Sequence, residues 1–201
     1  MKLYYIPYTC SLSPDIVLRE LGVDFDLIRV DKESKRTADG RDFLQINPKG
    51  YVAAVELDNG EVLTEGPAII QYLADQYPES GLAPANGTLA RTRLQEWLNY
   101  ITSELHHGSA VLFNDFLSDE VKAKFRLKLD ERMRIVEARL AEHEYLFGER
   151  FSVADAYLFT VLSWFKFLGI DLATWPATQR YLRATARRPS VRDALMGQSA
   201  A

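Results

Sequence analysis

The amino-terminal stretch MKLYYIPYTCSLSPDIVLRELG, residues 1–22, decides how the chain begins to fold. Its apolar and aromatic run from Leu3 to Ile6 stops at a proline, which is typical of a short buried strand. Ser11 and Ser13 are both candidate N-caps and Gly22 is a candidate terminator, so a helix is predicted between them. The stretch therefore predicts a strand, a polar turn and a helix, in that order.

Short elements continue through the first part of the chain. Residues 25–30 alternate in polarity like a second strand, and residues 42–46 fit one short helix. Asn59-Gly60 separates two short alternating runs, which is the pattern of a tight β-hairpin. Pro67 fits the first turn of a further helix. Residues 1–78 are therefore predicted to have the order β-α-β-α-β-β-α.

The chain changes character after these elements. The segment PESGLAPANGT contains two prolines and two glycines, so we expect a linker at residues 79–87. Residues 88–201 show helical apolar periodicity, including one long helix over residues 119–143. Ser152 and Asp155 fit a capping box before a helix that is apolar almost all round. The predicted fold class is α/β followed by an all-α part.

Composition restricts the possible functions. The chain has 201 residues, 47% of them hydrophobic, and a formal net charge of −4, so it can bury a core and has no basic excess for nucleic acid or an anionic membrane. One cysteine forms no internal disulfide, and no apolar run reaches about 20 residues. The sequence has no metal-spaced His/Cys cluster and no phosphate-binding glycine loop. We expect a cytoplasmic protein without a metal site.

Cys10, the one cysteine, lies where the first strand ends and the first helix begins. Unpaired N–H groups and the helix dipole favour an anion there, and such a position can lower the pKa of a thiol below its reference value of about 8.5. A cysteine without a disulfide partner is also often a small buried hydrophobe. The polar neighbours Thr9 and Ser11 favour the first interpretation, a reactive thiol.

Other polar groups could form part of the same site. Asn99, Ser103 and His106 share an uncharged face of a predicted helix, which indicates a helix that lines a cleft. The histidine is also compatible with a purely structural hydrogen bond. Tyr5 ends the first strand, where a tyrosine is usually part of the core with a satisfied hydroxyl.

Glu65 and Gly66 precede the start of a predicted helix. Backbone N–H groups at such a start can bind a carboxylate, and the Glu65 side chain can bind an ammonium group. The α-amino acid end of a ligand would satisfy both. An ordinary acidic N-cap is the structural alternative.

Five motifs occur in a fixed order: MKLYYIPYTCSLSP, NPKG, LTEGPAIIQYLAD, EWLNYITSELH and SVADAYLF. In this order the chain resembles bacterial beta-class glutathione transferases over essentially its whole length. The resemblance implies a thioredoxin-like glutathione-binding domain at residues 1–78 and a linker at 79–87. It also implies an all-helical domain at 88–201 that lines the second-substrate site.

The resemblance implies an enzyme of detoxification that conjugates glutathione, its co-substrate, to small hydrophobic electrophiles, without a tightly bound cofactor and as a homodimer. It implies catalytic positions at Cys10, Tyr5 and His106, with Cys10 facing the glutathione sulfur. It implies glutathione-binding positions at Lys35, Val52, Glu65, Gly66, Asn99, Ser103 and Glu104, the last three partly through the neighbouring subunit. Tyr8 and Thr9 correspond to the second-substrate pocket.

Two positions depart from the family pattern. The residue after Val52 is a cis-proline in the family, whereas this chain has Ala53. Because the cis form is much less favourable before alanine than before proline, we expect one of two outcomes. The bond is trans and the backbone contacts to glutathione are lost, or the fold holds the bond cis. Tyr8 replaces a small residue and is expected to narrow the second-substrate pocket.

Two alternative functions fit the same residues. One is a non-catalytic glutathione- or ligand-binding protein, since a fold does not determine a function. The other is a thiol–disulfide oxidoreductase that uses Cys10 as a single-cysteine nucleophile, an exchange that a transferase could also carry out beside conjugation. The conjugating transferase is the leading hypothesis.

Overall fold

The computed structural model describes residues 1–199, which form two compact units. Of the described residues, one unit contains 1–83 and 187–199, and the other contains 84–186. None of the helices in the described part of the chain is long and apolar enough to cross a membrane.

The first unit contains a four-stranded mixed sheet. Its elements begin with β1 (Lys2–Tyr5), α1 (Leu12–Glu20), β2 (Asp26–Arg29), α2 (Phe43–Ile46), β3 (Ala54–Glu56), β4 (Val62–Thr64) and α3 (Gly66–Gln76). The strand order is β2-β1-β3-β4, with β1 parallel to β2 and the other neighbours antiparallel. The predicted order β-α-β-α-β-β-α is confirmed.

The central strand β1 is buried on both faces. Leu3, Tyr4 and Tyr5 have no exposed surface. On one face, Tyr4 packs against Phe43 of α2 with 5.7 Å between ring centroids, in a core cluster that also includes Val52. Burial on both faces explains why this strand has a continuous apolar run and does not alternate in polarity.

The predicted hairpin joins β3 and β4. The Asn59 side chain accepts a hydrogen bond from the Glu61 N–H at 3.0 Å, and Gly60 has a φ of +86°. Glycine adopts this left-handed conformation without a steric penalty. The Asn-Gly pair therefore forms the turn that its residue types favour.

Side-chain hydroxyls hold the turn between β1 and α1. Thr9 Oγ1 and Ser11 Oγ donate to the carbonyl oxygen of Ile6 at 2.7 and 3.1 Å. Ser13 Oγ donates to the carbonyl oxygen of Cys10 at 3.0 Å. Although α1 begins directly after Ser11, that side chain makes no cap hydrogen bond. Ser11 therefore occupies the predicted N-cap position without a side-chain cap, and Ser13 is not a cap because it lies inside the helix. The hydroxyls of both serines bind the turn instead.

The peptide bond between Val52 and Ala53 is cis. The sequence left open whether this bond is trans or is held cis by the fold, and the structure has the cis bond. Val52 lies in the loop that leads into β3, two residues before the strand begins.

The second unit is helical. It contains α4 (Leu89–Tyr100), α5 (His107–Leu112), α6 (Asp119–Glu142), α7 (Val153–Leu162) and α8 (Pro176–Thr185). A π-helical turn, Ile101–His106, joins α4 to α5 and was not predicted from the sequence. Such turns occur frequently at functional sites. All residues of α7 are buried, as its apolar sequence predicted.

The predicted capping box at the start of α7 is confirmed. Asp155 has no exposed surface, and its Oδ1 accepts a hydrogen bond from the Leu146 N–H at 2.7 Å. Its Oδ2 accepts from the N–H and the hydroxyl of Ser152, at 2.9 and 2.7 Å. The Tyr181 hydroxyl of α8 donates to the Asp155 carbonyl oxygen at 2.9 Å. Asp155 therefore joins the start of α7 to the preceding loop and to α8.

The last helix, α9 (Pro189–Ser199), packs against α1 in the first unit. Two guanidinium nitrogens of Arg188 donate to the two carboxylate oxygens of Glu20, at 2.8 and 2.9 Å. The Gln198 side chain donates to the buried carboxylate of Asp15 at 3.0 Å. These polar contacts attach the carboxy-terminal helix to the sheet-containing unit.

The predicted domain from residue 88 to 201 differs from the structure at its end. Residues 187–199 group with the first unit, because α9 packs on α1. The sequence pattern identified this segment as helical but contained no signal for the surface that it covers. The functional roles of the predicted domains stay predictions.

We expect Asp155→Ala to lower the free energy of unfolding by about 2–4 kcal/mol, because three donors lose their acceptor in a buried site. Urea unfolding followed by circular dichroism measures this loss. Ser118→Ala removes an exposed N-cap, whose oxygen accepts from the Val121 N–H at the start of α6, and is expected to cost about 1 kcal/mol or less. Equal losses in the two variants would contradict the role assigned to Asp155.

Candidate active site

Cys10 lies in the turn between β1 and α1, and its thiol contacts the loop that contains Val52. The sulfur donates a hydrogen bond to the Val52 carbonyl oxygen, with 3.1 Å between the two atoms. The two residues are far apart in sequence, and both were predicted from the family resemblance to face glutathione. The structure brings them into direct contact.

The surroundings of Cys10 favour its protonated form. Burial of the sulfur among protein atoms raises the pKa of Cys10, the N–H groups of Cys10 and Ala53 oppose this shift, and the negative charge of Glu65 adds to it, so that the net pKa is about 11. The prediction of a lowered pKa is therefore wrong. The sulfur loses more by leaving water than it gains from the nearby N–H groups, so it is a thiol at neutral pH.

Glu65 forms an ion pair that the sequence analysis missed. It precedes α3 with a φ of +69°, an uncommon conformation for a residue other than glycine. Lys49 Nζ donates to Glu65 Oε1 at 2.6 Å and to Thr64 Oγ1 at 2.9 Å. The two side chains keep 54% and 67% of their surface exposed. Lys49 is part of the NPKG motif, but its partner is 16 residues away, so no local signal could have identified the pair.

Gly66 and Lys35 connect to the same region of the first unit. A Cβ atom on Gly66 would lie 3.7 Å from Ser13 Oγ, and that hydroxyl donates to the carbonyl oxygen of Cys10. Lys35 Nζ donates to the Gly50 carbonyl oxygen at 3.1 Å, on the loop that continues to Val52. The glutathione-binding positions predicted in this unit are thus linked to the turn and loop that hold the cysteine.

Tyr5 differs from the other predicted positions of this unit. It has no exposed surface, as expected of a core tyrosine, but its hydroxyl has no hydrogen-bond partner among residues 1–199, so the expectation of a satisfied hydroxyl is wrong. Burial raises its pKa, so the hydroxyl is protonated at neutral pH. Tyr8 keeps 54% of its surface exposed with a φ of +62°, and the Thr9 hydroxyl is 2.9 Å from that of Ser11.

In the second unit, His106 ends the π-helical turn and is held by aromatic residues. Its Nδ1 is 2.6 Å from the hydroxyl oxygen of Tyr157 on α7. The indole of Trp164 packs against its edge, with 4.9 Å between ring centroids. Burial and the charge of His107 lower the pKa of His106. The sequence analysis missed Tyr157, which lies within the SVADAYLF motif.

Asn99, Ser103 and Glu104 lie together on the second unit, although the helical spacing had placed only the first two on one face, with His106, and Glu104 on another. Ser103 Oγ donates to the Asn99 carbonyl oxygen at 3.1 Å, and Arg132 Nε donates to Glu104 Oε2 at 2.9 Å. The hydrogen bond from Arg132 lowers the pKa of Glu104. All three predicted residues line an open groove, together with Glu96, Tyr100, Glu131, Arg132 and Ile135. Within residues 1–199 no group of three His, Cys, Asp or Glu side chains is placed to hold a metal ion.

Comparisons with known proteins agree with the motifs. The model of the glutathione S-transferase N-terminal domain matches residues 1–75, and that of the C-terminal domain matches residues 100–189. Glutathione S-transferase GstA of Escherichia coli O157:H7 is 42% identical over 198 residues, 98% of each chain.

Two solved structures extend the similarity to the fold. A sphingomonad glutathione S-transferase in complex with glutathione is 45% identical, with a TM-score of 0.96 over 100% of both chains. The bacterial beta-class enzyme of Sphingomonas chungbukensis is 42% identical, with a TM-score of 0.94 over 100% of both chains. The resemblance to beta-class transferases is confirmed.

The alkylation rate of Cys10 by iodoacetamide is expected to rise with pH through a midpoint at about 11. The chain has one cysteine, so the rate reports on this residue alone. At pH 8 the folded protein should react at least roughly a hundredfold more slowly than the same chain unfolded in urea, whose thiol has a pKa of about 8.5. A midpoint at or below that of the unfolded chain would contradict the assignment of Cys10 as a thiol.

Proposed function

This chain belongs to the glutathione S-transferase family, and on that basis we propose that it conjugates glutathione to small hydrophobic electrophiles with the glutathione sulfur as nucleophile. The observation that carries this choice is the Cys10 thiol, whose hydrogen bond to the Val52 carbonyl and pKa of about 11 favour the protonated form. A protonated thiol is a hydrogen-bond donor and a poor nucleophile. Thiol–disulfide exchange through Cys10 needs the thiolate and is disfavoured for the same reason.

In the proposed reaction, the glutathione thiol loses its proton to solvent and the thiolate attacks an electrophilic carbon. A carbon–sulfur bond forms, and the leaving group departs with its electron pair. Cys10 turns its S–H from the Val52 carbonyl toward the glutathione sulfur and stabilises its negative charge. The protein contributes mainly by raising the thiolate fraction of bound glutathione and by orienting it.

The charged groups of the first unit match the ends of glutathione. We assign the α-ammonium of the γ-glutamyl residue to Glu65 and its α-carboxylate to the Gly66 N–H. Lys49 pairs with Oε1 of the Glu65 carboxylate, so we assign the ligand ammonium to Oε2. Lys35 is assigned to the glycyl carboxylate, and the Val52 backbone to the cysteinyl unit.

The remaining assignments follow the family resemblance. His106 is assigned to sulfur positioning, and Tyr8 and Thr9 to the second-substrate pocket. Tyr5 is assigned to sulfur positioning through the residues around it, because its hydroxyl is buried. Asn99, Ser103 and Glu104 are assigned to glutathione binding, partly through the neighbouring subunit of a homodimer. We place this homodimer in the cytoplasm, with a role in detoxification. Light scattering of the purified protein tests the dimer through its molecular mass.

Glu65→Gln is expected to raise the KM for glutathione about tenfold with little change in kcat, because it removes the counter-charge of the ligand ammonium. The matched control is Glu120→Gln, which breaks the exposed Lys124–Glu120 pair of 2.8 Å on α6 and should leave KM unchanged. Steady-state conjugation kinetics at varied glutathione concentration measure both variants. An unchanged KM in Glu65→Gln would remove this residue from the binding site.

Cys10→Ala is expected to lower kcat about threefold to tenfold, the loss typical of one hydrogen bond, and to leave conjugation measurable. If Cys10 were itself the nucleophile, its removal would abolish turnover. Complete loss of activity in Cys10→Ala would therefore overturn the proposed mechanism. His106→Ala is expected to reduce kcat as well. Conjugation that neither substitution affects would remove both residues from the active site.

A further inference from the structure

The imidazole of His106 packs against two aromatic side chains of the second unit, Tyr157 and Trp164. Tyr157 lies with its ring centroid 5.8 Å from that of the imidazole and an interplanar angle of 72°. The ring centroid of Trp164 lies 4.9 Å from that of the imidazole, with an interplanar angle of 69°. Both aromatic residues are buried, whereas the imidazole is partly exposed. The ring is therefore fixed in orientation with part of it open to a ligand.

The contact with Tyr157 is a hydrogen bond to one defined nitrogen. The Tyr157 hydroxyl is 2.6 Å from Nδ1 of His106, and only 1% of the Tyr157 surface is exposed. A buried hydroxyl is normally hydrogen-bonded, so this contact satisfies a group that α7 carries into the helical core. Among residues 1–199, the other nitrogen of His106, Nε2, makes no hydrogen bond.

The proton of this hydrogen bond can be assigned from chemistry. Burial lowers the pKa of His106, so the ring is neutral at neutral pH and has one N–H and one lone pair. A phenol is a stronger donor than a neutral imidazole N–H, and an imidazole nitrogen is a stronger acceptor than a phenol oxygen. These strengths favour the arrangement in which Tyr157 donates to Nδ1 and the imidazole proton is on Nε2.

We propose that Tyr157 is a positioning residue that holds His106 as the Nε2–H tautomer and presents this N–H as a hydrogen-bond donor to the reaction. The inference rests on the proposed function for the role of His106. In a neutral histidine, the hydrogen bond made by one ring nitrogen determines whether the other ring nitrogen carries the proton. Held this way, Nε2–H stabilises negative charge on the glutathione sulfur or on the departing group, and a bare Nε2 could not.

The tautomer is measured on the full chain labelled with nitrogen-15 histidine. The chain has three histidines, and His106→Gln identifies the signals of the residue in question. We expect Nε2 to be protonated and Nδ1 to be bare in the wild type, and Tyr157→Phe to populate both tautomers. A protonated Nδ1, or a mixture of tautomers in the wild type, would overturn the proposal.

Tyr181→Phe is the matched control for this measurement. It removes another buried tyrosine hydroxyl of the same unit, one that donates to the Asp155 carbonyl oxygen at 2.9 Å. We expect it to lower stability while the tautomer of His106 and kcat stay at wild-type values. If Tyr181→Phe changes the tautomer as Tyr157→Phe does, the effect is one of general packing and the proposal fails.

Conjugation kinetics test the consequence for the reaction. Tyr157→Phe is expected to lower kcat about fivefold to tenfold while the KM for glutathione stays within about twofold. In the His106→Ala background the same substitution should have no further effect on kcat. Independent, multiplying losses would show that Tyr157 does not act through His106. A wild type that has the expected tautomer but does not conjugate glutathione would refute the proposed function and leave the assignment of the proton intact.

Discussion

The hydrogen bond from the Cys10 thiol to the Val52 carbonyl oxygen, 3.1 Å long, is the contact on which the first unit's candidate site depends. It joins the turn after the central strand to the loop before β3, two segments that come from different parts of the chain. The turn itself is held by hydroxyl groups that donate to Ile6 and Cys10. A small polar side chain at position 10 therefore meets a backbone acceptor whose position the sheet determines.

This contact also decides the chemistry of the cysteine. A position near a helix start favours an anion, but removal of the sulfur from water disfavours one, and the second effect is larger here. The result is a donor beside a backbone segment that is assigned to the cysteinyl unit of glutathione. In the proposed mechanism the protein supplies a hydrogen bond from Cys10 to a thiolate that arrives with the substrate, and the neutral imidazole of His106 is proposed to act in the same way.

Features with a local physical cause could be predicted from the sequence. The buried strand, the Asn59-Gly60 hairpin and the Ser152–Asp155 capping box each depend on residues within a few positions of one another. The family resemblance added the set of candidate site residues. The fold class followed from these local patterns in their order along the chain.

Features that depend on distant partners could not be predicted in the same way. Lys49 pairs with Glu65, and α9 packs on α1, through contacts that exist only after the chain has folded. The hydroxyls of Ser11 and Ser13 could accept from free N–H groups at the helix start or donate to carbonyl oxygens of the turn, and in the structure they donate to the turn. The sign of the Cys10 pKa shift was wrong for a related reason, since desolvation depends on how many distant atoms surround the sulfur.

The central claim is that the nucleophile is the sulfur of glutathione and that Cys10 remains a thiol. Ultraviolet difference spectroscopy of the thiolate band at neutral pH, with and without glutathione, tests it directly in the wild type and in Cys10→Ala. The account predicts a thiolate signal that appears only when glutathione is bound and that persists in Cys10→Ala. A thiolate signal from the protein without glutathione, or one that disappears with Cys10, would contradict it.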